Sequence, residues 1–346
     1  MSSKNFRGSV AEKSLSREEQ LAKINDVRKM IGPIADKLPV LCSEASISRY
    51  LRARNWNTKK AGKMLKGTLK WTLEYKPEKI RWEDIAEEAK TGKIYRADYR
   101  DKHGRIVLVM RPGFQNTTST EGQIRYLVYC MENAVMNTNP DQEQMVWLID
   151  FQQWTMSSIS VKVTRETAHV LQDHYPERLG LAILYNPPKI FESFWKVVKP
   201  FLETKTYKKV KFVYSDDPQS LKPMEEIFDM DKLECSFGGK NTAVFNYEIY
   251  ADRMKEDDKK ITFTASGCPS PIYQHSIEAA SQHTESMALE NVSDASDEDG
   301  HSCSDELDNL NLERVDKSTQ GVGLGCTEVG NDEEEVARET KTSELT

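Results

Sequence analysis

Four short apolar runs, separated from one another by amphipathic stretches, constrain the fold of this chain more than any other feature. The apolar runs are Ile106–Met110, Met145–Asp150, Leu181–Tyr185 and Val210–Tyr214. The stretches with helical spacing between them lie near Thr120–Asn137, Ser160–His174 and Lys189–Phe201. Strands that alternate with helices of this length predict an α/β fold, with a mixed or parallel sheet and helical crossovers.

The second apolar run is apolar on both of its faces, as the sequence Val146-Trp147-Leu148-Ile149 shows. One interpretation is a sheet covered by helices on both sides. The other is a sheet with one face that lines a cavity. Periodicity alone does not separate the two.

Three helices are predicted before the first of these runs. Ser16 and Glu19 have the spacing of a capping box at the start of the first helix. The second is expected over Ser43–Asn55, and the third begins after Asn57 or Thr58 and stops at Pro77. Residues 16–80 are therefore predicted to form a small all-helical unit, and residues 1–15 before it are predicted to be a disordered polar segment.

The charge pattern sets the end of the chain apart from the rest. Residues 262–346 hold 19 Asp and Glu against 4 Lys and Arg, a net charge of −15, whereas the whole chain carries −7. The preceding residues are therefore mildly basic, at +8. The final segment has no helical or strand period and too few apolar residues to offset the entropy of ordering. We expect it to be a disordered acidic tail.

The N-terminal residues and the cysteines favour the cytosol. The N-terminal residues contain no apolar stretch of the kind that a secretory signal needs. The six cysteines are scattered, with no C-x-x-C pair, so they predict neither a zinc site nor a disulfide scaffold. We expect them to be reduced thiols.

Motifs of enzymes are largely missing from the sequence. The partial glycine pattern Gly321-x-Gly323-x-Gly325 lies in the acidic tail with no strand before it. Asp150, at the end of an apolar strand, has the position of a catalytic acid, but no partner motif accompanies it, which favours a structural role. We expect no catalytic residue, no metal site and no cofactor.

Three segments stand out from this background. Tyr50–Trp56, with the sequence YLRARNW, places two arginines near a helix end, where they suit the helix dipole or an external anion. His174–Gly180, HYPERLG, is a charged link between a helix and a strand. Asn186–Leu202 contains a helix with many apolar positions, which periodicity alone describes as a well-buried helix.

With Phe237-Gly238-Gly239-Lys240, these segments resemble the CRAL-TRIO family, of the phosphatidylinositol-transfer kind found in the yeast secretory transfer protein. The elements L-R-A-R, Y-P-E-R-L-G, K-P-F-L and F-G-G-K occur in the family's order and spacing between Ser43 and Lys240. The resemblance implies a helical N-terminal lobe at residues 16–80 and a lipid-binding α/β lobe at residues 81–250. In that lobe the sheet forms the floor of a hydrophobic pocket.

The resemblance also implies the residues that bind the lipid headgroup: Arg54, Glu177, Thr206 and Lys209. Their chemistry suits phosphatidylinositol, because a buried phosphodiester needs cationic donors and the inositol hydroxyls need an acceptor such as Glu177. A salt bridge from Glu177 to Arg54 or Arg178 is the structural alternative.

A gate helix over the pocket is implied as well, at about Lys189–Leu202. Its apolar face would serve as lid and as membrane-entering surface. The gate residues are Ile190, Phe191, Phe194, Trp195, Val198 and Phe201.

The sequence departs from the family at the site that holds phosphatidylcholine in the classical exchangers. Met145 and Trp147 stand where those proteins have serine and threonine, and expected tyrosines are replaced by Ala97, Leu108 and Met131. The identity of a second lipid is therefore open: a sterol, another phospholipid or none.

The function expected from the resemblance is that of a soluble, non-enzymatic carrier of phosphatidylinositol, with the phospholipid as cargo. We expect a cytoplasmic monomer that contacts anionic membranes transiently and does not bind nucleic acid. Two alternatives stay open. One is a carrier of another hydrophobic ligand, such as a tocopherol, a retinoid or a sterol. The other is a lipid-regulated adaptor whose acidic tail recruits partners.

Overall fold

The structure, a computed structural model, describes residues 15–139, 141–155, 160–191, 195 and 204–265. Of the segments where we expect disorder, residues 1–15 and 262–346, all but Leu15 and residues 262–265 lie outside this set. The expected start of the tail at residue 262 is wrong, because the last described helix, Tyr247–Ala265, continues through residues 262–265. Three of the six expected gate residues, Phe194, Val198 and Phe201, lie outside it too.

Three helices form the N-terminal part, as the sequence predicts: α1 (Arg17–Ile31), α2 (Glu44–Ala53) and α3 (Thr58–Tyr75). A polar side chain caps the start of each helix by accepting a hydrogen bond from a backbone N–H of the first turn. The capping residues are Ser16, Ser43 and Asn57. Ser16 and Glu19 form the predicted capping box.

These helices pack around a hydrophobic core of their own. Its fully buried apolar side chains are Val27, Ile47, Leu51, Ala61, Leu65 and Leu69. A second, larger core begins at Ile80 and runs through the rest of the described chain. The helical unit is therefore a separate packing unit that meets the α/β part along one side.

The described α/β part contains a five-stranded mixed sheet, with the strands in the order β1-β2-β3-β4-β5. The strands are β1 (Ile94–Arg100), β2 (Ile106–Met110), β3 (Met145–Asp150), β4 (Leu179–Tyr185) and β5 (Val210–Val213). β1 pairs antiparallel with β2, and the other pairs are parallel. The predicted α/β fold with a mixed sheet is confirmed.

The crossovers place their helices on one face of the sheet. Helices α5 (Thr120–Met136) and α6 (Val161–His174) connect β2 to β3 and β3 to β4. Because β2 to β5 follow one another across the sheet and such connections are right-handed, the connecting segments lie on the same side. We call this side the helical face; it carries Met110, Ile149 and Phe212, which are paired in register through Leu184 of β4.

The two faces of the sheet differ in how completely they are covered. On the face opposite the helical face, Val109, Leu148 and Ile183 are fully buried. On the helical face, Met110 and Ile149 keep part of their surface accessible although they lie on central strands. The helical face is therefore incompletely filled, which favours the interpretation that one face lines a cavity.

The opposite face is covered by the segment that follows β5. Helix α8 (Pro218–Ile227) leads into Phe228, whose ring packs against Tyr99, and then into Phe237, whose ring packs edge-on against Tyr185 at 5.3 Å. These aromatic contacts fill the space beneath the sheet.

Helices α4 (Trp82–Ala89) and α9 (Tyr247–Ala265) complete the fold, together with the single turn α7 (Thr204–Tyr207) before β5. Asp258 of α9 accepts a hydrogen bond from the backbone N–H of Trp82 at 2.7 Å and so fixes the start of α4. Met254 of α9 is fully buried. The last described helix is therefore an integral part of the core.

Candidate functional site

The L-R-A-R element ends helix α2 in a tight turn. Arg54 is the residue that closes the helix, and the next two residues, Asn55 and Trp56, have φ of 50° and 61°. Two consecutive left-handed residues reverse the chain, and the backbone N–H of Trp56 donates to Leu51 O at 2.7 Å. The reversal leaves Arg54 on the surface between α2 and α3.

A basic pocket of about 780 Å³ opens at this turn. It is lined by Ala53, Arg54, Asn55, Asn57, Lys60, Lys205 and Lys208. Four of these side chains are cationic and none is acidic, so the pocket attracts anions such as phosphate.

Lys205 ties the two walls of the basic pocket together. Its Nζ donates to Arg52 O at 3.1 Å and to Asn55 Oδ1 at 2.6 Å. Helix α7, which precedes β5, is thereby fixed to the end of α2. This contact brings the predicted residues Arg54 and Thr206 into one region although they are far apart in the sequence.

Glu177 and Lys209 form an ion pair, with Nζ 3.5 Å from Oε2. Their side chains are 17% and 24% exposed, so the pair is largely removed from solvent. Glu177 has a φ of 59°, a left-handed conformation that a non-glycine residue adopts infrequently, in the link between α6 and β4. Two predicted headgroup residues thus lie side by side.

Backbone contacts hold Lys209 at the start of β5. Its N–H donates to Thr206 O at 3.0 Å, and its carbonyl accepts from the N–H of Ala182 in β4 at 2.8 Å. Thr206 and Lys209 therefore sit on one turn. The structure places Lys209 beside Glu177, and Arg54 in the basic pocket.

The sequence left open a salt bridge between Glu177 and Arg178. In the structure Arg178 has a different partner. Its guanidinium donates to the backbone carbonyl of Glu143 at 3.1 Å. Burial, reinforced by the charge of Arg49, lowers the pKa of Arg178 to about 10. The carboxylate of Glu143 accepts hydrogen bonds from Arg49 and Arg52 of α2, so this cluster joins the helical unit to the α/β part.

His174, at the start of the Y-P-E-R link, is packed between the two parts of the molecule. Its ring stacks on Trp71 of α3 with centroids 4.0 Å apart, and its Nδ1 lies 3.2 Å from Thr68 Oγ1. Burial, together with the nearby His169, lowers the pKa of His174 to about 4. The imidazole is therefore neutral at pH 7 and acts in packing.

Tyr175, the next residue, anchors the link between α6 and β4 to helix α5. The hydroxyl of Tyr175, which is buried, donates to Oε1 of the half-buried Glu132 at 2.6 Å. His174 packs against α3, and Tyr175 is hydrogen-bonded to α5. These two contacts fix the backbone just before Glu177.

The described gate residues contact the end of the sheet. Ile190 and Phe191 are half-buried, and the Phe191 ring lies 4.4 Å from Phe151 and 5.6 Å from Trp154. Trp195 packs edge-on against Phe212 of β5 at 5.8 Å. This part of the predicted gate segment therefore lies over the helical face.

The residues that the resemblance sets at the family's phosphatidylcholine site lie in or against the sheet. Ala97, Leu108, Met131 and Met145 are buried. Trp147 is half-buried on the helical face, and its Nε1–H has no hydrogen-bond partner among the described residues. Trp147 packs against the hydrophobic core, which disfavours a charged choline headgroup there.

Asp150, for which the sequence favours a structural role, makes two contacts at the end of β3. Its Oδ1 accepts from the backbone N–H of Gln152 at 2.9 Å, which shapes the turn after β3. Its Oδ2 lies 3.6 Å from Arg111 Nε, at the end of β2. Asp150 is buried and Arg111 half-buried, and the pair links the ends of two neighbouring strands.

Sequence reasoning did not find Lys60, Lys205 and Lys208 as part of the site. Lys205 and Lys208 flank the predicted Thr206 in the sequence TKTYKK, and that density of lysines before a strand was the available signal. Lys60 reaches the pocket only because the turn at Asn55 brings α3 next to α7.

Comparison with known proteins places this geometry in a family. Residues 89–239 match the model of the CRAL/TRIO domain, and residues 33–67 match that of the CRAL/TRIO N-terminal domain. The phosphatidylinositol transfer protein PDR17 of Saccharomyces cerevisiae is 31% identical over 244 residues, which cover 66% of this chain and 67% of PDR17.

Two further relatives are similar over part of their length. A CRAL-TRIO domain-containing protein of Schizosaccharomyces pombe is 34% identical over 211 residues, 61% of this chain and 20% of that protein. The SEC14 cytosolic factor of Yarrowia lipolytica is 28% identical over 229 residues, which cover 60% of this chain and 46% of the factor. The chain thus spans a fifth and just under half of these two relatives.

A solved structure supports the fold independently of sequence. The crystal structure of Sfh5 superposes with a TM-score of 0.55 at 16% identity, over 73% of this chain and 99% of the Sfh5 chain. In the part of the chain that the structure describes, no helix is both long enough and apolar enough to cross a bilayer. The matched domains, the relatives and the fold agree: the chain belongs to the CRAL/TRIO domain family.

Proposed function

We propose that this protein is a soluble carrier that binds phosphatidylinositol and moves it between membranes or presents it to lipid-modifying enzymes. The observation that carries the proposal is the Glu177–Lys209 pair, largely buried and held on two fixed turns. Each member of the pair matches one half of the headgroup. The Lys209 ammonium suits the phosphodiester, and the Glu177 carboxylate accepts hydrogen bonds from inositol hydroxyls.

The pair would also keep both charges partnered before a lipid enters the site. A buried charge that has no partner is costly. When the lipid is absent, Glu177 and Lys209 satisfy each other, and when it is bound, each turns to its part of the headgroup. Arg54, in the basic pocket, adds a second cation for the phosphate.

The incompletely filled helical face suits the acyl chains. Each CH₂ group that leaves water for an apolar surface gains about 0.8 kcal/mol, so two acyl chains need an enclosed apolar floor during transfer. Met110, Ile149 and Phe212 offer such a floor, and Trp195 lies over its edge. Since no bond is made or broken in this process, the proposal includes no enzymatic step.

The relatives support the same ligand class. PDR17 is described as a phosphatidylinositol transfer protein and is similar over two thirds of its length. The proposal further includes a cytoplasmic monomer that contacts anionic membranes transiently, and it excludes nucleic acid as a partner.

Phosphatidylcholine is disfavoured as the second lipid because Met145 and Trp147 replace the hydroxyl residues of the exchangers. Within the described residues the Nε1–H of Trp147 on the helical face has no acceptor, which favours a ligand with a single hydrogen-bond acceptor, such as a sterol hydroxyl or an ester carbonyl. A carrier of an isoprenoid alone leaves the cations without a phosphate and is the weaker candidate.

Native mass spectrometry of the protein purified from its host tests the proposal. We expect the main adduct to have the mass of phosphatidylinositol, because only a lipid with a phosphate and several hydroxyls uses Arg54, Glu177 and Lys209 together. An adduct with the mass of a tocopherol, a retinoid or a sterol, with no phosphatidylinositol beside it, would replace the proposal with the alternative carrier.

A further inference from the structure

Helix α3 displays a row of four lysines on its outer side. The residues are Lys59, Lys63, Lys66 and Lys70, and all four are exposed. We propose that this lysine row is the surface by which the protein docks on an anionic membrane leaflet. The inference rests on the proposed transfer function and deepens it by naming the membrane-facing side.

The row is a geometric property of the helix. With about 100° of rotation per residue, the four positions fall within an arc of about 60° and span about 16 Å along the axis. The apolar side chains that α3 buries, Ala61, Leu65 and Leu69, lie on roughly the opposite side. The lysines therefore form one straight cationic edge that faces away from the core.

The charges of the row are not neutralised within the described part of the protein. None of the four lysines forms an ion pair there, and α3 contains no acidic residue before Glu74. Some exposed lysines elsewhere are paired with a carboxylate. Lys232, Lys240 and Lys259 each have an aspartate or glutamate within 3.5 Å.

Folding does not account for such a row. Like charges four residues apart on one helix face repel each other and weaken the helix. A continuous unpaired cationic edge is instead what attracts an extended polyanion.

The position of the row identifies which polyanion fits. Its first lysine, Lys59, lies beside Lys60, which lines the basic pocket together with Asn57 of the turn before α3. A leaflet against the row therefore lies close to Lys60 and the basic pocket that it lines. Anionic lipids diffuse laterally and can match any spacing of lysines, and each lysine near such a surface contributes about fivefold to binding.

The test compares two full-length variants of equal charge. The first replaces the four lysines of the row with glutamine. The control replaces four exposed lysines from α8, the loop after it and α9 with glutamine: Lys222, Lys232, Lys240 and Lys255. Binding is measured by sedimentation with vesicles of phosphatidylcholine containing about one third phosphatidylserine, without phosphatidylinositol, so that the cargo site contributes nothing.

We expect the row variant to bind at least about thirtyfold more weakly than the unmodified protein at low salt, and the control to change by less than about threefold. The difference is expected to shrink as salt rises, because ions screen exposed charges over about 10 Å at 0.1 M. The row variant should still carry phosphatidylinositol by native mass spectrometry, which separates a failure of docking from a failure of the cargo site.

Three results would overturn the inference. One is vesicle binding by the row variant that equals that of the unmodified protein. Another is an equal loss in both variants, which would reduce the effect to net charge. The third is a row variant that keeps its vesicle binding but loses binding to a nucleic-acid duplex or to a peptide of the acidic residues 293–346, since the row would then serve that partner.

Discussion

Replacement of Lys209 with alanine is expected to lower the rate of phosphatidylinositol transfer by a factor of roughly 30 to several thousand. The range corresponds to the 2–5 kcal/mol that the loss of one partner of a buried, hydrogen-bonded charge pair typically costs. The variant loses the cation for the phosphate and leaves Glu177 without its partner at 3.5 Å. Glu177→Lys is expected to have an effect of the same order, because it sets a second cation against the inositol hydroxyls.

The charge swap Glu177→Lys with Lys209→Glu distinguishes a binding site from a structural ion pair. The swap restores an ion pair between the same two positions, so a purely structural pair predicts recovery of transfer. A binding site predicts that transfer stays low, because the cation and the acceptor now face the wrong parts of the headgroup. Lys211→Ala is the matched control, since Lys211 is an exposed lysine on β5 and outside the site; unchanged transfer in Lys209→Ala and in the swap would refute the site.

Arg96→Ala is expected to lower the free energy of unfolding by about 3–5 kcal/mol, the usual cost of breaking a buried ion pair from one side. The guanidinium of Arg96 donates to Asp257 Oδ2 at 2.6 Å and to Asn133 Oδ1 at 2.7 Å. The two charged side chains are only 11% and 3% exposed. Without Arg96, the Asp257 carboxylate, which attaches α9 to β1 and α5, loses the buried cation that is bonded to it.

The same carboxylate supplies the control. Asp257 Oδ1 also accepts from Lys260 at 2.7 Å, but the Lys260 side chain is 66% exposed. Burial opposes ionisation of Asp257, yet Lys260, Arg96 and Asn133 outweigh it and hold the pKa of Asp257 below its usual value. Lys260→Ala should therefore cost about 0–1 kcal/mol, as exposed pairs do. Urea unfolding at pH 7 measures both variants, and equal losses for the two would show that burial does not decide the strength of these pairs.

The central strands could be predicted from the sequence because they are buried on both faces. β2 and β3 begin and end where the apolar runs Ile106–Met110 and Met145–Asp150 do. β1 escaped prediction because it lies at the edge of the sheet and interrupts its apolar residues with Arg96 and Asp98. Edge strands commonly carry such charges.

Helix α9 could not be predicted for a related reason. Asp257 and Asp258 look like solvent-facing residues in the sequence, but both are buried and bind groups from α4, α5 and β1. Only the tertiary structure supplies Arg96 and the N–H of Trp82 as their partners.

The contacts within the candidate site could not be predicted from the sequence either. The family resemblance indicated Arg54, Glu177, Thr206 and Lys209, which match motif positions one by one. It did not indicate that Glu177 pairs with Lys209, or that Lys205 bridges to Asn55, since these contacts join segments that only the fold brings together. The lysine row of α3 was readable from its spacing alone, but its lack of carboxylate partners required the structure.

The most direct test of the carrier function is a transfer assay with the full-length protein, with donor vesicles that contain labelled phosphatidylinositol or labelled phosphatidylcholine and unlabelled acceptors. We expect catalytic amounts of the protein to move phosphatidylinositol, because Arg54, Glu177 and Lys209 recognise its headgroup. We expect phosphatidylcholine to stay largely in the donor vesicles, because Met145 and Trp147 offer no hydroxyl to its headgroup. Phosphatidylinositol that remains in the donor vesicles would contradict the proposed function, and equal transfer of the two lipids would contradict the assignment of its specificity.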